Sequence, residues 1–506
     1  MIGMMSAAGR DRGRLKQIAQ IASKFGLDVL LARLGLEPGA NKEGGPDAEA
    51  ASLPRRTRLA LQALGPVYVK LGQILATRGD LLSPEWIAEL EHLHNSAGTL
   101  SFEALRPSVE AALGEPPETA FADFDPQPLA AASMAQVHRA TLHDDRPVVL
   151  KIRRPGIREA MEADLRLLGQ LAKIVEKASA EARRFGPAAM MRQLAAAILE
   201  ELDFASEGRN ADRLRSDFEK EQRVVIPEIH WSMTSESLLV MDFIDGVRPR
   251  DGATLRAAGI DPVAIANLGA DIVLDMVLIN GRFHGDPHPG NLLCLPGDRI
   301  ALLDLGMLGH VSPRRREEFI SFVQSLNMSD PALLADVLQI WSADGGPTPL
   351  QLRSAAERLI ARHGGGQLVL SAMVGDFLPL MRDEGLTMPP DLLLIFKALV
   401  TIDGVLSAIV PDFDLSAAMK RSSLRIVKAR LDPQHWTPAV QALAWELGKI
   451  ADDAPSLIRL LVRRLEAETP ARSHVENPVT RDAGARLLAT SIFLGCALIA
   501  GALYRL

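Results

Sequence analysis

Apolar residues recur at spacings of three and four along most of this chain, and strand-like runs are confined to one zone between Pro128 and Gly246. Residues 1–50 open with a basic amphipathic helix that sets Leu15, Ile18, Ile21 and Leu27 near one side, and end in "GLEPGANKEGGPDAEAASLP", whose Gly, Pro and small polar content marks a linker. A helical extension over 51–127 follows. Its helix "GPVYVKLGQILATRGD" has Pro66 in the first turn, an apolar stripe of Leu64, Val67, Leu71 and Ile74, and Lys70, Gln73 and Thr77 on another face, with "RGD" ending it. Ser83 before Pro84 signals the next helix start. In the mixed zone, set at 128–250, "RPVVLKIRRPG" and "SESLLVMDFIDG" read as strands, separated by long helices from Glu159 onward. Residues 251–430 return to helical periodicity, broken by "RFHGDPHPGNLLCLPGDRIALLDLGML", which reads as loop, strand, turn, strand. The pattern predicts an α+β fold with a small mixed lobe and a larger helical lobe, then a helical segment over 431–484.

The tail changes the picture. "LLATSIFLGCALIAGALY", Leu487 to Tyr504, is an unbroken uncharged run at the short end of what spans a bilayer, flanked by Arg481, Arg486 and Arg505. Residues 485–506 are therefore expected to form a single C-terminal membrane anchor. Ser491 with Gly495, and Ala497 with Gly501, would allow close helix approach in lipid, and with it a homodimer. The N-terminal helix fits a surface helix packed on its own protein and a membrane-surface helix equally well. A net charge of -7 gives no footprint for nucleic acid. Cys294 and Cys496 stand far apart and form neither a disulfide framework nor a zinc cluster.

The candidate chemistry centres on "FHGDPHPGN". His284 and His288 have the spacing of two zinc ligands on a helix, but Pro287 and Pro289 forbid a helix there. The other reading runs from Asp286 to Asn291 and on to Asp304 at the end of the next strand. That order matches a protein-kinase catalytic loop followed by the aspartate of D-F-G, here Asp304-Leu305-Gly306. Phosphoryl transfer needs Mg²⁺ held by hard oxygens, which Asn291 and Asp304 supply, while Asp286 can orient or deprotonate the attacking hydroxyl or water. "VVLKI" provides Lys151 as the strand lysine. In "LEELDFASEGRN", taken as one helix, Glu200, Asp203 and Glu207 share a face, and such an acidic stripe on a largely apolar helix is expected to meet Lys151, Lys70 or Mg²⁺. Where a kinase has its Gly-rich loop, Ala130, Ala131, Ala132 and Ser133 stand instead, a stiffer backbone before Lys151.

Together these residues resemble the UbiB/AarF family of atypical kinase-like proteins. The resemblance rests on K-x-G-Q at Lys70-Leu71-Gly72-Gln73, the alanine-rich "AAASMAQVHRA", E-x-D at Glu201-Leu202-Asp203, and "HGDPHPGN" followed by "DLG". It implies a bilobal protein-kinase-like fold that binds ATP and Mg²⁺, with Lys151 paired to Glu207 and Asn291 and Asp304 on the metal. It further implies a regulatory K-x-G-Q helix, with Lys70, Gly72, Gln73, Glu201 and Asp203, lying over the cleft where a kinase would grip its peptide. A regular helix would point Glu201 elsewhere.

By the same resemblance the activity is ATP hydrolysis supporting ubiquinone biosynthesis, with the anchor in the inner membrane and the kinase-like domain in the cytoplasm. The partners are then membrane lipids, isoprenoid quinone intermediates and enzymes of that pathway. A small-molecule phosphotransferase shares the H-G-D-x-x-x-x-N loop but lacks K-x-G-Q, and a non-catalytic lipid-binding scaffold would leave every phosphate and metal ligand surplus. Protein phosphorylation fits poorly, because "DLGMLGHVSP" leaves no room for a long activation segment and Gly285 replaces the arginine of H-R-D.

Overall fold

Strand alternation decides which way Lys151 points. In the strand Pro147–Arg153, Val148, Leu150 and Ile152 face a buried apolar layer, so Val149 and Lys151 face the opposite side of the sheet. The computed structural model describes residues 9–27, 52–76, 82–93, 98–178, 186–342, 347–364, 370–384 and 389–411, with isolated positions as far as 421. The apolar run Leu487–Tyr504 with Cys496, the segment 431–484, the linker after residue 27, Thr77 and "RGD" lie outside the described residues.

The chain enters through α1 (Gly9–Lys24), α2 (Leu53–Leu64), α3 (Pro66–Ala76) and α4 (Pro84–Glu91). Next come α5 (Phe102–Leu113) and the single turn α6 (Pro117–Ala120). The sheet of the small lobe is antiparallel, in the order β1 (Asp123–Ala131), β2 (Ala135–Thr141), β3 (Pro147–Arg153), β5 (Leu238–Asp242). Sequence reasoning missed β1 and β2, because alanines depress strand propensity and the segment reads as loop. Two features override propensity: a continuous β2–β3 register from Ala135↔Arg153 to Thr141↔Pro147, and the buried pair Gln136 and His138 on β2. Gln136 exchanges hydrogen bonds with the Leu100 backbone and donates to His138, whose other ring nitrogen donates to the Asp125 carbonyl.

Three helices follow β3: α7 (Ile157–Ala178), α8 (Pro187–Glu201) and α9 (Phe204–Asp217), leading to the short β4 (Val224–Val225). The stretch taken as one helix is therefore two. Asp203 caps α9, its carboxylate accepting from the Ala205 N–H at 3.0 Å and the Ser206 hydroxyl at 2.7 Å. A short polar side chain that captures its own backbone ends one helix and starts another.

The large lobe is built on α10 (Gly252–Ala257), α11 (Pro262–Asp275), α12 (Pro313–Asn327), α13 (Pro331–Trp341), α14 (Pro349–His363), α15 (Leu370–Asp383) and α16 (Pro390–Ile409). Phe322 meets Trp341, Phe377 and Phe396 at its centre. Pro262–Asn280 and Asp391–Ile409 are long and apolar enough to cross a membrane, yet 67% and 61% of their most apolar stretches are buried inside the protein, as in core helices. Between α11 and α12 lie β6 (Arg282–His284), β7 (Leu292–Leu295), β8 (Arg299–Leu302) and β9 (Leu308–His310). β7 pairs with β8, β8 with β4, and β6 with β9. The arrangement is the expected bilobal kinase-like one.

The N-terminal helix packs on its own protein. Ala19, Ala22 and Leu27 join Ala60 of α2 in a small core, and Ile18 and Ile21 pack against the cluster that includes Leu64 of α2 and Met161 of α7. Arg14 fixes the helix with a forked pair to the buried Asp164, at 2.6 and 2.8 Å, and a bond to the Leu64 carbonyl.

Candidate active site

Lys151 reaches from β3 between two carboxylates. Its Nζ lies 3.0 and 2.9 Å from the two oxygens of Glu207 on α9 and 3.0 Å from Asp304 Oδ1. Burial alone would lower the lysine, but the charges of Asp304 and Glu207 outweigh it and hold the ammonium well above its usual range. Glu207 is 4% exposed, and burial pushes it upward; the ammonium is what favours its ionised form. Lys151 holds the Asp304 carboxyl down to about 2. Although crowded by protein, the Asp304 side chain keeps 52% of its surface open at the cleft.

Asp304 adopts a left-handed backbone (φ 51°), a conformation few residues other than glycine take. Its neighbour is held as well, since buried Asn210 of α9 donates to the Leu305 carbonyl at 3.2 Å. The catalytic loop is tied to the same segment through buried His284. The Nε2–H of His284 donates to the Leu303 carbonyl at 3.0 Å, and its Nδ1 accepts from the Asp286 N–H at 3.1 Å. Both ring nitrogens are thus used, and burial lowers the imidazole's pKa, so His284 positions the loop and is no metal ligand. His288 accepts from the Gly290 N–H at 2.9 Å. Gly285 stands where kinases carry arginine because β6 and β9 come together there: its N–H donates to the Met307 carbonyl at 2.9 Å, and a Cβ would lie 3.0 Å from the Met307 side chain.

Asn291 donates Nδ2–H to the Asp286 carbonyl at 3.1 Å, which leaves its Oδ1 for a cation. With the Asp304 carboxylate it forms a hard-oxygen pair suited to Mg²⁺. Among the described residues no group of three or more His, Cys, Asp or Glu makes a ready-built metal cage. Such a pair fits Mg²⁺ that completes its shell with phosphate and water oxygens.

Ala130 and Ala131 end β1, and Ala132 and Ser133 turn into β2. Arg154, just after β3, grips this turn: its Nε donates to the Ala132 carbonyl at 2.9 Å and its N–H to the Met134 carbonyl at 2.9 Å. Met134 is buried among Leu64, Val67 and Tyr68 of the extension, Met161 of α7, Leu194 and Ile198 of α8, and Leu202 just after it. The alanine turn is thus clamped from behind.

The K-x-G-Q residues divide their work. Lys70 meets Glu201 at 2.8 Å. Gln73 donates to the Leu93 carbonyl at 3.1 Å, closing the chain after α4. A Cβ at Gly72 would lie 2.2 Å from Leu93 Cδ1 and 3.0 Å from Leu61 Cδ1, so glycine lets α3 seat against these leucines without displacing their tips. Of the expected acidic stripe, Glu207 alone reaches Lys151; Glu200 is exposed and Asp203 is engaged as the cap, with Arg209 at 3.1 Å. Glu201, the last residue of α8, meets Lys70 and not Lys151. Sequence reasoning left Asn210, Arg154 and Lys397 out of the site. Asn210 sits three residues after Glu207, on the same helical face. Arg154 follows the strand of Lys151 closely. Lys397 carries no local signal beyond being a lone cation in an apolar helix.

Comparison with known proteins agrees with the fold. The ABC1 atypical kinase-like domain matches residues 92–338, and the UbiB helical domain matches 353–414. "Probable protein kinase UbiB" of Xylella fastidiosa (strain M23) is 32% identical over 475 residues, covering 90% of this chain and 85% of that protein. Its counterpart of the same name in Xanthomonas campestris pv. campestris (strain B100) is 32% identical over 494 residues, covering 92% and 86%. Among solved structures, the complex of Rv3197 with erythromycin from Mycobacterium tuberculosis shares the fold at a TM-score of 0.51 and 21% identity, covering 71% of this chain and 93% of that one.

Proposed function

The chain belongs to the UbiB family of atypical kinase-like proteins, and on that premise we propose that it is a membrane-anchored, Mg²⁺-dependent ATP-hydrolysing enzyme supporting ubiquinone or another isoprenoid-lipid pathway. The observation that carries the reading is Lys151 held charged between Glu207 and Asp304, with Asn291 presenting an oxygen from the adjoining loop. Lys151 binds the nucleotide's phosphates, Asn291 and Asp304 hold the metal, and Asp286 orients the attacking water. Mg²⁺, when bound, neutralises charge on the phosphates. The alanine turn covers the nucleotide from the small lobe.

Hydrolysis is favoured over protein phosphorylation by the short passage after the D-L-G motif. Met307 to Ser312 separate Gly306 from α12, and three of those residues are taken up by β9 pairing with β6. A peptide-docking activation segment has no chain to be made from. The lipid side of the proposal rests on the apolar tail and on the family: membrane lipids and isoprenoid quinone intermediates as partners, with the kinase-like domain on the cytoplasmic face of the inner membrane.

The test is phosphate release by purified full-length protein, with and without liposomes, for wild type and Asp304→Asn. Mg²⁺-dependent release by wild type, absent from the variant, is expected. A phosphorylated small molecule in place of free phosphate would move the protein to the phosphotransferase class. Equal turnover by both proteins would remove Asp304 and the proposed metal site.

A further inference from the structure

Helix α16 is apolar for nearly its whole length, and its charged side chains are Asp391, Lys397 and Asp403. Asp391 pairs with Arg315, and Asp403 is buried. Lys397 is different. Its neighbours Phe396 and Ala398 are 1% and 0% exposed, so the backbone that carries it is fixed in the core of the large lobe. From there its ammonium emerges 3.5 Å from Asp286 Oδ1, with the two side chains 32% and 41% exposed. A pair that long and that open contributes little to folding. Stability therefore does not account for a lysine at this point of an apolar helix.

The cleft has a place for such a charge. The loop Asp286–Asn291 contains no lysine or arginine. Lys151 is shared by two carboxylates and Lys70 is held by Glu201. A phosphoryl group in transfer spreads negative charge over its oxygens, and fixed cations beside it stabilise that charge. Lys397 brings one from a rigid helix to the residue that orients the nucleophile.

We propose that Lys397 is a further binding residue of the phosphoryl-transfer site: it steadies the Asp286 carboxylate and presents its ammonium to the terminal phosphate of a nucleoside triphosphate. The assignment rests on the nucleotide reading above and extends it, because Lys397 lies within the stretch matched by the UbiB helical domain. That domain then completes the site rather than merely buttressing it.

The experiment is calorimetry of the full-length protein with Mg²⁺, comparing a non-hydrolysable ATP analogue with ADP, for wild type, Lys397→Met and Lys397→Arg. Losing one charge-assisted contact to the terminal phosphate should cost Lys397→Met about 10-fold or more in its preference for triphosphate over diphosphate. ADP affinity and the melting temperature should hold, and Lys397→Arg should restore most of the preference. An unchanged ratio in Lys397→Met overturns the assignment. So does an equal loss for both ligands, which marks a lysine needed only for structure. Wild type that binds neither nucleotide would sink the nucleotide reading itself, and Lys397's role with it.

Discussion

Two lysine–glutamate pairs flank the break between α8 and α9, and they are built on opposite principles. Lys151–Glu207 joins a central strand to the first turns of α9; it is two-pronged, with side chains 15% and 5% exposed, and shares Asp304. Lys70–Glu201 joins the extension to the last residue of α8 through a single 2.8 Å contact, with side chains 11% and 24% exposed. The first is embedded in the lobe that holds it. The second crosses between helices whose other contacts are the apolar layer around Tyr68, Met134 and Leu202. The inner pair is thus part of the fold, while the outer one is a clasp laid over it, and a clasp can open without unfolding what it closes.

The strongest way to break that contrast is Glu207→Ala. Removing one partner of a largely buried pair leaves the Lys151 ammonium with Asp304 alone, at a cost of about 3 kcal/mol. Urea unfolding should show the loss as a lower midpoint at unchanged slope, and nucleotide binding should disappear. A shift below ~1 kcal/mol would mean the inner pair is no more structural than the outer one.

Gly72→Ala comes next. One methyl group 2.2 Å from Leu93 Cδ1 and 3.0 Å from Leu61 Cδ1 must displace the packing of the extension, and if the leucines are held in place the cost is about 1–3 kcal/mol. Limited proteolysis should cut the extension while leaving the lobes resistant. An alanine variant as resistant as wild type would show that the leucine tips simply swing aside.

What the sequence made legible was order, and what it hid was local chemistry. The succession Lys151, Asp286, Asn291, Asp304 is legible because a phosphoryl-transfer site would need those types in that order, and the structure brings Lys151 within 3.0 Å of Asp304. The β1–β2 hairpin was hidden because its alanines argue against a strand while buried Gln136 and His138 argue for one only once Leu100 and Asp125 are in place. The break at Asp203 was written in D-F-A-S as a cap but outvoted by the helical spacing of the surrounding leucines and carboxylates. Lys397 lies more than a hundred residues from Asp286, and no spacing rule joins them.

Asp203→Ala sharpens the comparison at the break itself. Its carboxylate caps the helix that carries Glu207, so its loss should cost about 1 kcal/mol. Asp203→Asn keeps an accepting oxygen and should recover most of that. If both variants lose equally, the charge pairing with Arg209 outweighs the cap.

The smallest effect on stability, and the most informative, belongs to the clasp. Lys70→Met and Glu201→Gln should each change unfolding free energy by less than ~1 kcal/mol, because the pair makes a single contact and its Glu201 end is partly open to water. Function should respond differently. The charge of Lys70 helps hold the Asp304 carboxyl down and that of Glu201 helps push Glu207 up, so opening the clasp should change nucleotide affinity or turnover in the same direction for both variants. The double variant should then match either single one, since each removes the same contact. Additive effects would show that Lys70 and Glu201 act on the nucleotide separately. Unchanged binding and turnover in all three proteins would make the clasp a second structural pair, and the contrast between the two regions would collapse.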